Sequence, residues 1–286
     1  MASQDWKAER GVTLSGVTKT IGDEFVSKTV IRECSFTVAD GKFTVLIGPS
    51  GCGKTTLINL IAGYDQPTAG SIECDGKEVS GPTRDRLVLF QESALFPWMT
   101  VFQNVMYGPN VQRRRGDAKK EAAELLAKVG LKNFQDKYPN QLSGGMQRRA
   151  ELARTLINQP RVLLMDEPFR GLDSMTRQLM QEYLLNLFEG SGQTILFVTT
   201  EIDEAILLAD SLVLLSSAPA TVREVISVDL PRPRTAAVFR SQQYVELKSH
   251  ILSVLYEEAL HSFSSGSRAA ADMIEAFNVQ RTGSRS

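Results

Sequence analysis

The sequence predicts an α/β fold on a mostly parallel sheet, and three observations carry that expectation. The runs RVLLMD (161–166) and TILFV (194–198) are short and apolar throughout, the pattern of strands buried on both faces. A segment of helical spacing, about 174–188, separates them and gives a strand–helix–strand crossover. A third apolar run, FTVLI (43–47), leads straight into a glycine-rich loop and then into TTLINLIAGY, where Leu57, Leu60 and Ile61 recur at helical spacing.

The remaining elements follow in chain order. Two strands are expected around 12–17 and 30–38. CSFTVADGKFTVLIG alternates apolar and polar residues up to Asp40-Gly41, which predicts a hairpin between the second strand and FTVLI. The region of about 92–158 is helical in character. Within it DAKKEAAELLAKVG carries Asp117 as N-cap, Ala122, Leu125, Leu126 and Val129 on one face, and Gly130 as stop. SLVLL (211–215) reads as another strand and VREVISVDL as an edge strand. The run PRPR (231–234) is expected to end the fold. Residues 231–286 then form an extension, helical in part, whose Ser-, Gly- and Arg-rich tail is disordered from about 264. No internal repeat is evident.

Composition narrows the function classes. The 286 residues are 42% hydrophobic, 23% charged and 7% aromatic, with a formal net charge of -1. Near-neutrality argues against bulk affinity for nucleic acid or anionic lipid. Arg113-Arg114-Arg115 reads as a solvated loop rather than a binding patch. Cys34, Cys52 and Cys74 match no zinc spacing and fit a reducing compartment. No apolar run approaches the roughly 18 residues that span a bilayer, and MASQDWKAER lacks the apolar core of a signal peptide. The expected location is cytosolic, or at a membrane only through a partner.

GPSGCGKTT (48–56) matches the phosphate-loop pattern in its required setting, a strand before and a helix after. Glycines let successive N–H groups curl around phosphate oxygens, and the helix start adds partial positive charge. Lys54 would sit between the β- and γ-phosphates, and the Thr55 hydroxyl would ligate Mg²⁺. The chain is therefore expected to bind a nucleoside triphosphate. RVLLMDEP ends a buried strand on two carboxylates. Asp166 would hold the ion through water, and Glu167 would face the γ-phosphate. The plainer reading, a polar loop after a strand, loses force beside the phosphate loop.

QLSGGMQRRAELARTLI places Leu142, Ser143, Gly144 and Gly145 at a helix start about 20 residues before the Asp-Glu strand. This resembles the signature loop of ATP-binding cassette (ABC) proteins. Gln91 in LVLFQES is similar to the family's glutamine after the third core strand, and GLD (171–173), ending on Asp173, resembles its loop across the dimer seam. The resemblance covers about residues 12–230. It implies a P-loop NTPase domain of ABC type over 11–230, with a RecA-like parallel core, an N-terminal antiparallel β-subdomain and an inserted α-helical subdomain. It also implies ATP and Mg²⁺. The phosphates would lie on Gly48, Pro49, Ser50, Gly51, Cys52, Gly53, Lys54, Thr55 and Thr56, with Thr55, Gln91 and Asp166 about the ion. Two cassettes, identical or homologous, would face head to tail, each signature closing on the other's nucleotide.

A narrower resemblance, to ATPases of the nitrate, sulfonate, taurine and bicarbonate import group, rests on GPTRDRLVLFQESALFPWMTVFQNVMYG, EIDEAILLAD and VDLPRPR. It implies an ATP-hydrolysing subunit at the cytoplasmic face of the inner membrane. Its partners would be two permease subunits and, indirectly, a solute-binding protein, with no nucleic acid. The cluster Leu95, Phe96, Pro97, Trp98, Met99 is then either core or an apolar cleft for a short permease helix.

The chain departs from the family at three places. Thr200 falls where a histidine normally contacts the γ-phosphate and steadies the glutamate, and the only histidines, His250 and His261, lie beyond the cassette core. With Glu167 and Lys54 retained, the expectation is a slow but competent ATPase with Thr200 as a neutral donor. The adenine-stacking aromatic is replaced at its best-aligned position by Ile21, with Phe25 nearby. Arg170 and Gly171 stand where small residues and alanine are more usual. Two rival functions remain open: a regulatory cassette that binds ATP and barely hydrolyses it, and a soluble cassette acting on nucleic acid or ribosomes.

Overall fold

The computed structural model describes residues 10–22, 27–114, 116–189 and 191–264. Phe25 and the tail beyond 264 lie outside the described residues.

Among the described residues ten strands form two sheets. Strands β1 (Gly11–Gly22), β2 (Ser27–Ala39), β4 (Ala69–Cys74) and β5 (Lys77–Glu78) make an antiparallel sheet in the order β2-β1-β4-β5. The larger sheet runs β10-β9-β3-β8-β7-β6, from β3 (Phe43–Ile47), β6 (Arg86–Leu89), β7 (Val162–Asp166), β8 (Thr194–Thr199), β9 (Ser211–Leu215) and β10 (Val222–Ser227). All its pairings are parallel except that of β10, the edge strand.

The expected hairpin between β2 and FTVLI is not formed. Asp40-Gly41 does turn, with Lys42 N–H donating to Ala39 O at 3.1 Å, but the turn carries the chain from one sheet to the other. The physical reason lies in the strand itself. All five residues of β3 are buried, and such a strand belongs at the centre of a covered sheet rather than in a half-wet hairpin.

Central strands send alternate residues to two cores. Phe43, Val45 and Ile47 of β3, Leu163 and Met165 of β7, and Ile195 and Phe197 of β8 face one side. That side is covered by α5 (Ser174–Phe188), α6 (Ile202–Leu208) and α7 (Gln242–Ser264). Leu46, Val162, Leu164, Leu196 and Val198 face the other side, where α1 (Lys54–Ala62) and the antiparallel sheet lie. A third core, including Val101, Val105, Ala122, Leu126 and Ala150, joins α2 (Val101–Val111), α3 (Ala118–Lys128) and α4 (Gly144–Leu156) as the inserted helical subdomain. Asp117 precedes α3 as expected but caps it without a side-chain hydrogen bond, and Gly130 takes the left-handed conformation after α3.

PRPR does not end the packed structure. Arg234 is buried, and Tyr244, Ile251 and Leu255 of α7 join the core over β3 and β8. Proline and charge signal a break in regular structure, whereas here the arginine is spent on buried carbonyls.

Candidate active site

Parallel register sets the site. Ile47 of β3 is opposite Thr199 of β8, and Val198 is opposite Asp166 of β7. The loops after these strands therefore emerge side by side at the carboxyl edge, where open α/β sheets bind ligands.

The loop after β3 ends in Gly53, whose φ of 118° is open to glycine and strained for other residues. A Cβ on Gly48 would come within 2.9 Å of the Leu215 Cβ, so the loop lies tight on β9. Helix α1 begins without a side-chain cap and without an acidic residue in its first turn, leaving its leading N–H groups to a ligand. Lys54 is 5% exposed, and among the described residues its ammonium donates to neutral acceptors alone, Gly48 O and Pro49 O, each at 2.9 Å. A buried cation with no carboxylate among its bonds, beside open amide donors, suits a polyanion. Cys52 is buried in the same loop, and burial pushes its thiol up.

Thr55 donates its hydroxyl to Asp166 Oδ2 at 2.7 Å. Burial raises the Asp166 carboxyl above its ordinary range, with this bond acting against the rise. A hydroxyl and a carboxylate this close form the small oxygen set with which proteins hold Mg²⁺ when phosphate supplies the remaining ligands. Glu167 follows, 8% exposed, with φ 42° and its N–H donating to Val198 O at 3.0 Å. Its Oε2 accepts from Arg170 Nη1 at 2.8 Å.

Thr200 is exposed just beyond β8, and its hydroxyl has no hydrogen-bond partner among the described residues. Beneath it, Thr199 is buried and accepts from Glu201 N–H. Glu204 of α6 is buried there too, bonded to Gln181 at 2.8 Å and to Thr199. His250 is remote on α7, paired with Glu224.

A separate cleft of about 410 Å³ is lined by Gln91, Ser143, Gly144, Gly145, Arg170 and Asp173, among others. Ser143 caps α4, its Oγ accepting from Met146 N–H at 3.3 Å, with Gly144 and Gly145 as the first helical residues and Leu142 buried before them. Asp173 caps α5 through Thr176 N–H, and that bond holds its carboxyl below the usual range. Gln91 lines this cleft, and among the described residues no hydrogen bond joins its side chain to Thr55 or Asp166. Ile21 is half exposed near the end of β1. In the aromatic cluster Leu95 is core, while Trp98 is 69% exposed beside Phe96, which also packs on Tyr107.

Residues outside the expected set bind these parts together. Arg148 of α4 is buried; Nη2 donates to Gln91 O at 2.8 Å, Nη1 to Glu151 Oε2 at 2.8 Å, and Nε to Pro168 O. Glu151 in turn accepts from Ala94 N–H. The helix that starts at Ser143 is thereby fastened to the loops after β6 and β7. An arginine and a glutamate at i, i+3 within QRRAEL were the only visible signal.

A family model described as ABC transporter matches residues 31–170. An uncharacterised ABC transporter ATP-binding protein of Methanocaldococcus jannaschii is 45% identical over 79% of this chain and 84% of its own length. A bicarbonate transport ATP-binding protein of Synechococcus elongatus is 41% identical over 82% of this chain and 86% of its own. Among solved structures, a bacterial ABC transporter cassette in dimeric form aligns with a TM-score of 0.69 at 30% identity, over 77% of this chain and all of that one. The same cassette has also been solved in a post-hydrolysis state with ADP and phosphate.

Proposed function

This chain belongs to the ABC transporter family and is an ATPase of that family, and from that premise we propose that it powers an importer of a small anion such as bicarbonate, nitrate, taurine or another sulfonate. The bicarbonate relative, similar over most of both chains, supports the substrate group. The observation that supports the mechanism is that the cleft lined by Ser143, Gly144 and Gly145 at the start of α4 takes no lining residue from the Gly48–Gly53 loop or the start of α1.

In this reading the N–H groups of Gly51 to Thr56 and the Lys54 ammonium bind the β- and γ-phosphates. Thr55 and Asp166 hold Mg²⁺, which when bound neutralises phosphate charge. Glu167 orients and deprotonates the attacking water, and Thr200 offers one neutral donor toward the γ-phosphate. Ser143, Gly144 and Gly145 close on the nucleotide of a second cassette, with Asp173 at the seam, so that bound ATP joins two chains and hydrolysis parts them. The exposed rings of Trp98 and Tyr107, with the partly buried Phe96 beside them, receive a permease segment at the cytoplasmic membrane face.

ATPase assays of wild type, Glu167→Gln and Ser143→Arg test this. Glu167→Gln is expected to cut turnover by about 100-fold or more, and Ser143→Arg to cut it at least about 10-fold while leaving ATP binding by one chain intact. Full turnover in Ser143→Arg would remove the two-cassette mechanism. The partnerless Thr200 favours a second reading, a regulatory cassette paired with a more active one. Equal background rates for wild type and Glu167→Gln would select that reading.

A further inference from the structure

The turn after β7 contains an ion pair that the mechanism above leaves unused. Arg170 Nη1 lies 2.8 Å from Glu167 Oε2, and Arg170 N–H donates to Glu167 O at 3.1 Å in the same tight turn. The Glu167 side chain is 10% exposed and that of Arg170 61%, so the arginine reaches inward from the solvent side. The backbone of Glu167 is already fixed by its bond to Val198 O and its left-handed φ. Its side chain is not, because three torsions separate that backbone from the carboxylate.

Other cations nearby are committed elsewhere. Lys54 bonds Gly48 O and Pro49 O, and Arg148 bonds Gln91 O, Glu151 and Pro168 O. Thr200, at the neighbouring strand tip, carries no charge. Among the described residues Arg170 is the one side chain bonded to Glu167.

We propose that Arg170 is a positioning residue for hydrolysis, its guanidinium holding the Glu167 carboxylate in the orientation that receives the attacking water. The inference rests on the assignment of Glu167 as the water-orienting base. The pair leaves Oε1 free to accept from water, because the contact uses Oε2 alone. Arginine suits this role, since it stays charged and its planar fork fixes the direction of the acceptor. A pair with so exposed a cation adds little to folding stability, so its removal acts on geometry rather than on the fold.

The test is steady-state ATPase of the 286-residue chain with Mg²⁺, at concentrations that favour paired cassettes. It compares wild type, Arg170→Ala, Arg170→Lys, Glu167→Gln and the double variant Glu167→Gln/Arg170→Ala. Arg170→Ala is expected to lower kcat about 5- to 30-fold with the KM for ATP within about 2-fold, and Arg170→Lys to recover part of the loss. The double variant should be no slower than Glu167→Gln, because the arginine acts only through the glutamate. An unchanged or raised kcat in Arg170→Ala, or an equal fall in the Glu167→Gln background, overturns the positioning role while Glu167 keeps its own. Equal rates in wild type and Glu167→Gln take down the assignment of Glu167, and this inference with it.

Discussion

Thr200 stands one residue beyond the buried end of β8, exposed, uncharged and without a bonded neighbour among the described residues. The exposure of the position suits a longer side chain that could be charged. A charge-assisted hydrogen bond contributes about 1.5–3 kcal/mol where a neutral one contributes about 1. Confined to the transition state, that difference corresponds to roughly 3- to 30-fold in rate. Thr200→His is therefore expected to raise ATP turnover by about that factor; an unchanged or lower kcat would show that the β8 tip does not limit the reaction. At this scale the meeting of the glycine-rich loop with Asp166, through Thr55, could be expected from the sequence, because the proposed chemistry demands particular residue types at a particular spacing. The contacts of Arg148 could not. Two of its acceptors are backbone carbonyls, of Pro168 and Gln91, 20 and 57 residues away, and a carbonyl has no residue-type signature. Arg170 was visible only as a departure, since a side chain's partner cannot be read from its own letter.

Elements were legible where burial and periodicity agreed. The helix expected at about 174–188 is α5, Ser174–Phe188, and the runs at 161–166 and 194–198 are β7 and β8. The Asp-Gly hairpin failed because turn chemistry fixes a reversal of the chain and not the sheet that the next strand joins. Contacts between elements escaped altogether, as under the tip of β8, where Glu204 of α6 meets Gln181 of α5. Burial raises the Glu204 carboxyl above its ordinary range, against bonds from Thr199 and Gln181 that lower it. A carboxyl raised in the folded state stabilises the fold at low pH, and that contribution is lost as pH rises through its folded pKa. Glu204→Gln cannot ionise and escapes the loss. Its melting temperature should thus gain on that of wild type between about pH 5 and pH 8. A pH-independent offset between the two proteins would mean that Glu204 does not change its protonation on folding.

Across the whole molecule the chain closes on itself through its C-terminal segment. The core over β3, β8 and β7 takes in Tyr244, Ile251 and Leu255 of α7. Arg234 lays its guanidinium on the last carbonyls of α6, those of Ile206, Leu207 and Ala209, and on Val228 O and Leu230 O. Tyr244 and Lys248 both reach Asp203 on α6. No local pattern announces such contacts, which join positions dozens of residues apart, so a Pro-Arg run looked like an ending. They decide a question of cooperativity. Leu255 is 3% exposed, and truncating a leucine so buried costs about 2–5 kcal/mol in lost transfer energy and cavity formation. If α7 shares the core, Leu255→Ala moves the main urea transition to lower midpoint in one step with the slope unchanged. If α7 were an appendage, the same change would leave the main transition in place and loosen only the helix. The first outcome is expected, because the leucine lies in the same apolar cluster as Phe43 and Phe197 at the centre of the sheet. The segment after 231 then belongs to the structure that holds α6, and with it the strand tip at Thr200, in place.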